Sequence, residues 1–250
     1  MRHFMFYQVE ARSRQEILFR YLALETTDVV LDVGCGTGYF TNLMWDKAAR
    51  VVGVDMDLAS VRVAKKFSPK QDFILSDATK LPIKSQAVTK ILCSEVLEHV
   101  SDDMGLTNEC CRVLRDGGVM VCSSINASFP FHSRKSSHTK AGSEFHIRVG
   151  YSVASLCQLL SRAGFGSIQI SSALPMLGTL VVEVLERTYS ALYQPLRSQS
   201  ELARLDHNRI LKLYKLFFPF LLRAVRVTFP KSLGGSILVA KALRPKFVHQ

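Results

Sequence analysis

Short runs of β-branched and other apolar residues alternate with helix-like segments through the first two thirds of the chain. Five such runs occur between residues 29 and 124: VVLDV (29–33), VVGVD (51–55), DFILSD (72–77), KILCS (90–94) and GGVMVCSS (117–124). The segments between them have helical patterns: TNLMWDKAAR, LASVRVAKKF, and EVLEHV continuing through MGLTNECCRVL. Repeated strand–helix alternation is typical of a parallel sheet with helices on both faces. The pattern predicts an α/β fold with a doubly wound, mostly parallel sheet.

The flanking segments complete this fold and add an insertion. Residues 10–24 have the pattern of a leading amphipathic helix, and residues 151–173 have that of a helix, a glycine stop and a strand. SILVAKAL (236–243) predicts a last strand, which makes seven. Residues 174–235 are mostly helical in character, and we interpret them as an insertion that serves as a substrate lid or a membrane contact. We expect residues 1–250 to form a single domain, since this length suffices for one α/β core.

The segment LDVGCGTGYF (31–40) carries three glycines directly after the first strand. A dinucleotide fingerprint, G-x-G-x-x-G, would need glycine at position 39, which is Tyr39. The pattern is instead D-x-G-x-G-x-G. It resembles the first motif of class I S-adenosylmethionine (SAM)-dependent methyltransferases, and the chain as a whole resembles the type 11 group of that class. This resemblance implies the Rossmann-like methyltransferase fold and SAM as the cofactor.

The resemblance places the methionine end of SAM at the glycine turn. Asp32 would accept a hydrogen bond from the ammonium group of the ligand, directly or through water. Gly34 and Gly36 would let the backbone approach the ligand where a Cβ would clash, and Gly38 completes the motif. A glycine turn alone is a weak signal, because any tight strand-to-helix turn can use the same residues.

Two further strand ends match the nucleoside end of SAM. Asp55 closes the second strand, where an acid accepts both ribose hydroxyls, and Met56 would lie against the adenine. At the end of the third strand, Asp77 would accept from the adenine amino group and the backbone N–H of Ala78 would reach the ring. Each acid alone could be a strand-end cap. Three acids at successive strand ends after a glycine turn favour a SAM site.

SEVLEHV (94–100) follows the fourth strand, where this family begins to meet its substrate. The chain lacks the N/D-P-P-Y/F motif of DNA and protein N-methyltransferases here, and it has no Pro-Cys pair for attack on cytosine C5. The segment resembles methyltransferases of small molecules and lipid precursors. His99 is a candidate catalytic residue, because an imidazole with an ordinary pKa of about 6.5 suits proton removal at neutral pH.

The E-x-x-E-H spacing leaves a metal site open as an alternative. Glu95, Glu98 and His99 match the metal site of ubiquinone-biosynthesis O-methyltransferases and of small-RNA 3′-end methyltransferases. On a helix these positions share a face, so they could hold one Mg²⁺ together with substrate hydroxyls. The same segment is frequent in family members for which no metal is implied. We favour that simpler interpretation.

HTKAGSEFHIRVGYS (138–152) is a polar loop after the fifth strand. Its H-x-R-x-x-Y-S part resembles a common segment of the type 11 group, in which the His and the Arg face the active-site mouth. His146 is therefore the second candidate catalytic residue and the best further metal ligand, with His132 and His138 behind it. A zinc site of these three histidines is an alternative that cysteine spacing does not support.

The net charge of +11 arises in the second half of the chain. Residues 1–125 carry 15 Lys/Arg and 16 Asp/Glu, whereas residues 126–250 carry 17 and 5. On a helical wheel, the cations of residues 209–229 occupy one arc of about 120°, and most of the Phe and Leu side chains lie outside it. This pattern is typical of a helix at an anionic membrane interface; the alternative is a helix packed on its own domain. The uncharged run 216–222 is too short to cross a bilayer.

Six cysteines without a C-x-x-C pair, and an N-terminus without a signal-peptide core, predict reduced thiols and a cytoplasmic protein. The basic amphipathic segment 209–229 suggests that this protein lies peripherally at the inner membrane face. We expect a methyltransferase for an O or C nucleophile of a small, lipid-linked or isoprenoid acceptor. One alternative is an RNA methyltransferase, and another is a SAM-binding subunit that activates a partner without catalysis. Nucleic acid is the less favoured partner, because base stacking needs aromatics interleaved with cations.

Overall fold

The computed structural model describes residues 14–129, 147–175 and 235–246. Several predictions fall outside the described residues: the amphipathic helix predicted at 209–229, nearly all of the insertion predicted at 174–235, and His132, His138 and His146. By its internal contacts the chain divides into two units. The first is Gln15–Ser171 with Ile237–Gln250 and holds almost all of the sheet; the second is Met1–Arg14 with Ser172–Ser236.

Strands and helices alternate in the order that the sequence predicts. The strands are β1 (Val29–Val33), β2 (Arg50–Asp55), β3 (Asp72–Leu75), β4 (Val88–Ser94), β5 (Leu114–Ile125), β6 (Gly166–Pro175) and β7 (Gly235–Leu243). The helices are α1 (14–22), α2 (Tyr39–Met44), α3 (Leu58–Phe67), α4 (Asp103–Val113) and α5 (Val153–Arg162), and a short 3₁₀ helix follows α2 at Trp45–Lys47. Among the helices of the described residues, none combines the length and the apolar character that crossing a membrane requires.

In the described part of the chain the seven strands form one sheet, ordered β3-β2-β1-β4-β5-β7-β6. Strands β1 to β5 pair with one another in parallel, whereas β7 pairs with β5 in antiparallel fashion. This confirms the predicted doubly wound, mostly parallel sheet. Because β1 to β4 are parallel, their carboxyl ends meet at one edge, and the predicted site residues that the structure describes lie at or just after these ends.

Local sequence explains why the first two βα units fold as they do. Val30, Leu31 and Val33 of β1 are fully buried, as a central strand covered on both faces requires. Helix α3 begins after Asp57, whose carboxylate accepts hydrogen bonds from the backbone N–H groups of Ala59 and Ser60. Both elements match the predicted segments to the residue.

The predicted helix over EVLEHV is wrong. Residues 95–100 form a turn, and α4 begins only at Asp103, after the cap that Asp102 provides. Glu95 adopts a left-handed conformation with φ of 57°, which a right-handed helix excludes. The helix predicted for TNLMWDKAAR also ends early, because the chain enters β2 at Arg50. We call residues 95–101 the β4 turn.

Arg244, just after β7, closes the carboxyl end of α4. Its guanidinium donates to the carbonyl oxygens of Cys111, Arg112 and Leu114 and pairs with Asp116 at 3.1 Å. A cation at a helix carboxyl end also interacts favourably with the helix dipole.

We expect Arg244→Ala to lower the free energy of unfolding by about 2–3 kcal/mol, because three carbonyl oxygens lose a charged donor. Urea denaturation measures this loss. Arg244→Lys keeps the charge and should recover only part of it. An unfolding midpoint equal to that of the wild type in Arg244→Ala would contradict this role.

Candidate active site

The glycine turn after β1 is bonded to the end of β2 through its own backbone. The N–H groups of Gly34 and Cys35 both donate to the carbonyl oxygen of Val54, at 2.8 and 3.0 Å. The N–H of Gly36 donates to Asp55 Oδ2 at 2.7 Å. These bonds to the end of β2 fix the conformation of the turn and occupy its backbone N–H groups. A ligand would therefore contact the carbon atoms of the turn.

The three glycines have different surroundings. A Cβ at Gly34 would lie 2.3 Å from Val96 Cγ2, and one at Gly38 would lie 3.1 Å from Phe73 Cζ. A Cβ at Gly36 would meet no protein atom within 4 Å. The space beside Gly34 is thus filled by the β4 turn, and only Gly36 faces open space. Of the three, Gly36 is the position that fits close approach of a ligand to the backbone.

Asp55 at the end of β2 is fixed by two backbone groups. Its Oδ2 accepts from Gly36, and its Oδ1 accepts from the N–H of Asp57 at 2.9 Å. A carboxylate oxygen has two lone pairs, so each oxygen can still accept one further hydrogen bond. A fixed carboxylate with two such positions fits a pair of vicinal hydroxyls.

Asp32 is a buried acid whose side chain is 2% exposed. Burial raises the pKa of this carboxyl from 3.8 to about 7, although the hydrogen bond that Thr41 Oγ1 donates to it at 2.6 Å opposes the rise. An ammonium group placed against Asp32 would favour the ionised form. Contact between Asp32 and the ammonium of SAM stays a prediction.

This raised pKa gives a pH dependence with a defined sign. Between about pH 4 and pH 7 the folded chain retains a proton on Asp32 that the unfolded chain has released. Stability should therefore fall as pH rises through this window, by at most about 1.4 kcal/mol per pH unit from this group. Urea unfolding at several pH values, with Asp32→Asn beside the wild type, isolates the effect. The same pH dependence in both chains would contradict it.

The nucleoside-side residues lie at the ends of β2 and β3. Met56 is 73% exposed, which suits contact with a flat apolar ring. Asp77 accepts from the backbone and the hydroxyl of Thr79, and these bonds lower the pKa of its exposed carboxyl. Ala78 packs partly buried against the core. Because Ser76 N–H donates to the carbonyl of Asp55 at 2.9 Å, the two strand ends are held together.

The β4 turn carries the predicted substrate-side residues. Its first residue, Glu95, donates its N–H to the carbonyl of Ser123 and accepts from the Ser123 hydroxyl, each at 3.0 Å. Glu98 is 1% exposed and accepts from the Ser124 hydroxyl at 3.0 Å. His99 is half-buried, and its backbone N–H donates to the carbonyl of Val96.

The alternative of a metal site at Glu95, Glu98 and His99 depends on these positions sharing one face of a helix, and the structure has no helix here. The three residues lie in a turn, so the spacing that would place them on one helix face does not apply. Among residues 14–129, 147–175 and 235–246, no group of three His, Cys, Asp or Glu side chains is arranged to hold a metal ion. His146, the further metal ligand and second candidate base, lies outside the described residues.

A family comparison agrees with this geometry. Residues 31–122, which include the glycine turn, Asp55, Asp77 and the β4 turn, match the family model described as a methyltransferase domain. The chain carries a class I SAM-dependent methyltransferase domain. The predicted family, fold and cofactor class are confirmed.

Curated relatives of the methyltransferase domain match over part of their length. A probable SAM-dependent methyltransferase of Mycolicibacterium smegmatis is 34% identical over 153 residues, 61% of this chain and 58% of the relative. A malonyl-[acyl-carrier protein] O-methyltransferase of Hamiltonella defensa is 34% identical over 48% of this chain and 47% of its own. A ubiquinone biosynthesis O-methyltransferase of Histophilus somni is 32% identical over 42% and 48%. The chain thus spans about half the length of these relatives.

A solved structure shows the same fold at low identity. The phosphoethanolamine N-methyltransferase 2 of Haemonchus contortus, in complex with SAM, superposes with a TM-score of 0.61 at 15% identity, over 94% of this chain and 53% of the other. At this identity the likeness concerns the fold of the methyltransferase domain.

Within the methyltransferase domain, the predicted residues fall into a cofactor side and a substrate side. The residues that the sequence predicts for the cofactor side are Asp32, Gly34, Gly36, Gly38, Asp55, Met56, Asp77 and Ala78. Of the three glycines, only Gly36 faces open space, so the predicted close approach of a ligand at Gly34 does not fit the structure. The sequence did not single out Thr41, which bonds Asp32, or Val96, which fills the space beside Gly34. Arg148 of the H-x-R-x-x-Y-S segment donates to the carbonyls of Leu97 and Ser101 in the β4 turn.

Proposed function

We propose that this protein is a SAM-dependent methyltransferase that transfers a methyl group to an O or C nucleophile of a small, lipid-linked or isoprenoid acceptor. The observation that carries the proposal is the pair formed by Gly36 and Asp55. Gly36 faces open space, and Asp55 is fixed beside it with acceptor positions left. This combination fits an adenosine ligand at the edge of a methyltransferase sheet.

The chain's own contribution to the reaction is alignment and proton removal. SAM supplies the electrophilic methyl group and, as a sulfonium, its own leaving group. The glycine turn and Asp55 hold one reactant, and the β4 turn orients the other, so that attack is in line. For a hydroxyl acceptor, an O–C bond forms, the C–S bond breaks, and His99 takes the hydroxyl proton.

The acceptor class is inferred from sequence features and relatives. SEVLEHV lacks the motif of amino-group methyltransferases, and two relatives are O-methyltransferases named for ubiquinone biosynthesis and malonyl-[acyl-carrier protein]. The basic, Phe-rich segment 209–229 would suit an acceptor at an anionic membrane surface. Both features favour a lipid-linked acceptor over RNA.

Transfer of labelled methyl from SAM tests the proposal. The protein would be incubated with a cell extract, and the label would then be counted in organic-soluble, RNA and aqueous small-molecule fractions. We expect the label in the organic-soluble fraction. Label in RNA alone would show that the acceptor is RNA and not a lipid-linked molecule. Binding of SAM without any methyl transfer would favour a non-catalytic partner subunit.

A further inference from the structure

We infer that Arg148, Asp103 and Tyr151 form a positioning network that fixes the β4 turn for methyl transfer. The inference rests on the proposed function, because its main consequence is a change in the rate of that reaction. The three side chains come from two separate segments, 147–151 and the first turn of α4, and they converge on the β4 turn between them.

Arg148 bridges the far half of the β4 turn. Its Nη1 donates to the carbonyl of Leu97 at 3.1 Å, and its Nη2 donates to the carbonyl of Ser101 at 3.0 Å. These two carbonyls flank His99 on either side. The rigid fork of a guanidinium fixes two acceptors at once, which the single ammonium of lysine does not reproduce.

The guanidinium is itself held by two further groups. It forms an ion pair with Asp103, and the hydroxyl of Tyr151 donates to Asp103 Oδ2 at 2.6 Å. The Arg148 guanidinium carbon also lies 5.6 Å from the centre of the Tyr151 ring. Tyr151 is 6% exposed, and burial raises the pKa of its hydroxyl, so it remains a donor. Each member therefore restrains the other two.

The backbone of the same segment ties the network to the sheet. Tyr151 N–H donates to the carbonyl of Ile125 at the end of β5, and Ile147 N–H donates to the carbonyl of Glu98, each at 2.9 Å. Gly150 has φ of 120°, and a Cβ there would lie 2.3 Å from the Ile125 carbonyl oxygen. Residues 147–151 are thus hydrogen-bonded both to the end of β5 and to the β4 turn, so they hold the turn in a fixed position relative to β5.

The near end of the turn is fixed separately, by the bonds of Glu95 to Ser123 and by the packing of Val96 on Gly34. Loss of the network should therefore loosen the far half, which carries His99, and leave the glycine turn in place. This predicts a loss in the methyl-transfer step with little change in SAM affinity.

The test compares Arg148→Lys, Arg148→Ala and Tyr151→Phe with the wild type. Arg162→Ala is the matched control, because this arginine is exposed in the last turn of α5. The readouts are the maximal rate of labelled methyl transfer from SAM into a fixed organic-soluble extract and the KM for SAM. We expect the maximal rate to fall about 10–100-fold in the Arg148 variants and less in Tyr151→Phe, with an unchanged KM for SAM.

Chemical rescue separates positioning from general damage. Guanidinium ion, at concentrations too low to unfold the wild type, should restore activity to Arg148→Ala and leave Arg162→Ala unchanged. Wild-type rates in all three variants would overturn the inference. A loss of rate that is accompanied by weaker SAM binding and that guanidinium does not restore would also overturn the inference.

Amide hydrogen exchange keeps this test distinct from that of the proposed function. If the wild type binds SAM but transfers no methyl group, the proposed function fails while the network can still be examined. Arg148→Lys should then show faster exchange at the backbone amides of His99, Ile147 and position 148, and wild-type exchange at those of Gly34 and Cys35. Unchanged exchange at the first three amides would overturn the network.

Discussion

We expect Asp55→Ala to weaken SAM binding by at least about 100-fold, or about 2.7 kcal/mol. The substitution removes the predicted acceptor for two ribose hydroxyls, and each hydrogen bond to a charged acceptor contributes about 1.5–3 kcal/mol. It also removes the acceptor of the Gly36 N–H, which helps to fix the glycine turn. Isothermal titration of SAM into the purified chain measures the loss.

Two substitutions control this experiment. Asp57→Ala removes the cap of α3, so it should lower stability by about 1 kcal/mol and leave SAM affinity unchanged. Asp55→Asn keeps one acceptor oxygen, so its affinity should lie between those of the wild type and Asp55→Ala. Full SAM affinity in a folded Asp55→Ala chain would refute the assignment of Asp55 to the ribose.

The second large effect concerns two glycines that share a left-handed conformation. Gly34 and Gly36 have φ of 68° and 51°, so an alanine at either position carries a similar backbone cost of about 1–2 kcal/mol. Gly34→Ala also places its Cβ 2.3 Å from Val96 Cγ2 and should lose about 1–3 kcal/mol more stability. Gly36→Ala meets no protein atom, so its distinctive effect should be a loss of SAM affinity of more than about tenfold.

Thermal unfolding and SAM titration on both variants separate these effects. Adding Val96→Ala to Gly34→Ala should restore part of the lost stability, because the clashing methyl group is removed. The same second substitution should do nothing for Gly36→Ala. Gly36→Ala with wild-type affinity would show that the open face of the turn is not where the ligand lies.

Most of the sheet could be predicted because its strands are decided by local composition. VVLDV is apolar and β-branched, is buried on both faces, and ends at a glycine, so β1 matches the predicted run to the residue. LASVRVAKKF follows a capping Asp57 and ends before Ser68 and Pro69, so α3 matches as well. The strand-end acids could be placed for the same reason, although only Asp55 is the last residue of its strand; Asp32 precedes the last residue of β1, and Asp77 follows β3 by two residues because that strand ends at Leu75.

The β4 turn could not be predicted because it is fixed by distant residues. EVLEHV has a helical pattern, but the bond from Glu95 N–H to the Ser123 carbonyl stabilises a left-handed conformation at its first residue. Arg148, 51 positions beyond Leu97, then bonds the far half of the turn. Periodicity contains no information on partners so far apart. The open face of Gly36 and the contact of Val96 with Gly34 are likewise tertiary features.

A calorimetric titration of SAM into the wild-type chain tests most directly whether the edge formed by β1, β2 and β3 binds SAM. We predict saturable binding of SAM, competition by S-adenosylhomocysteine, and no competition by NAD, since Tyr39 breaks the dinucleotide pattern. The absence of SAM binding by the folded chain, or displacement of SAM by NAD, would contradict the account.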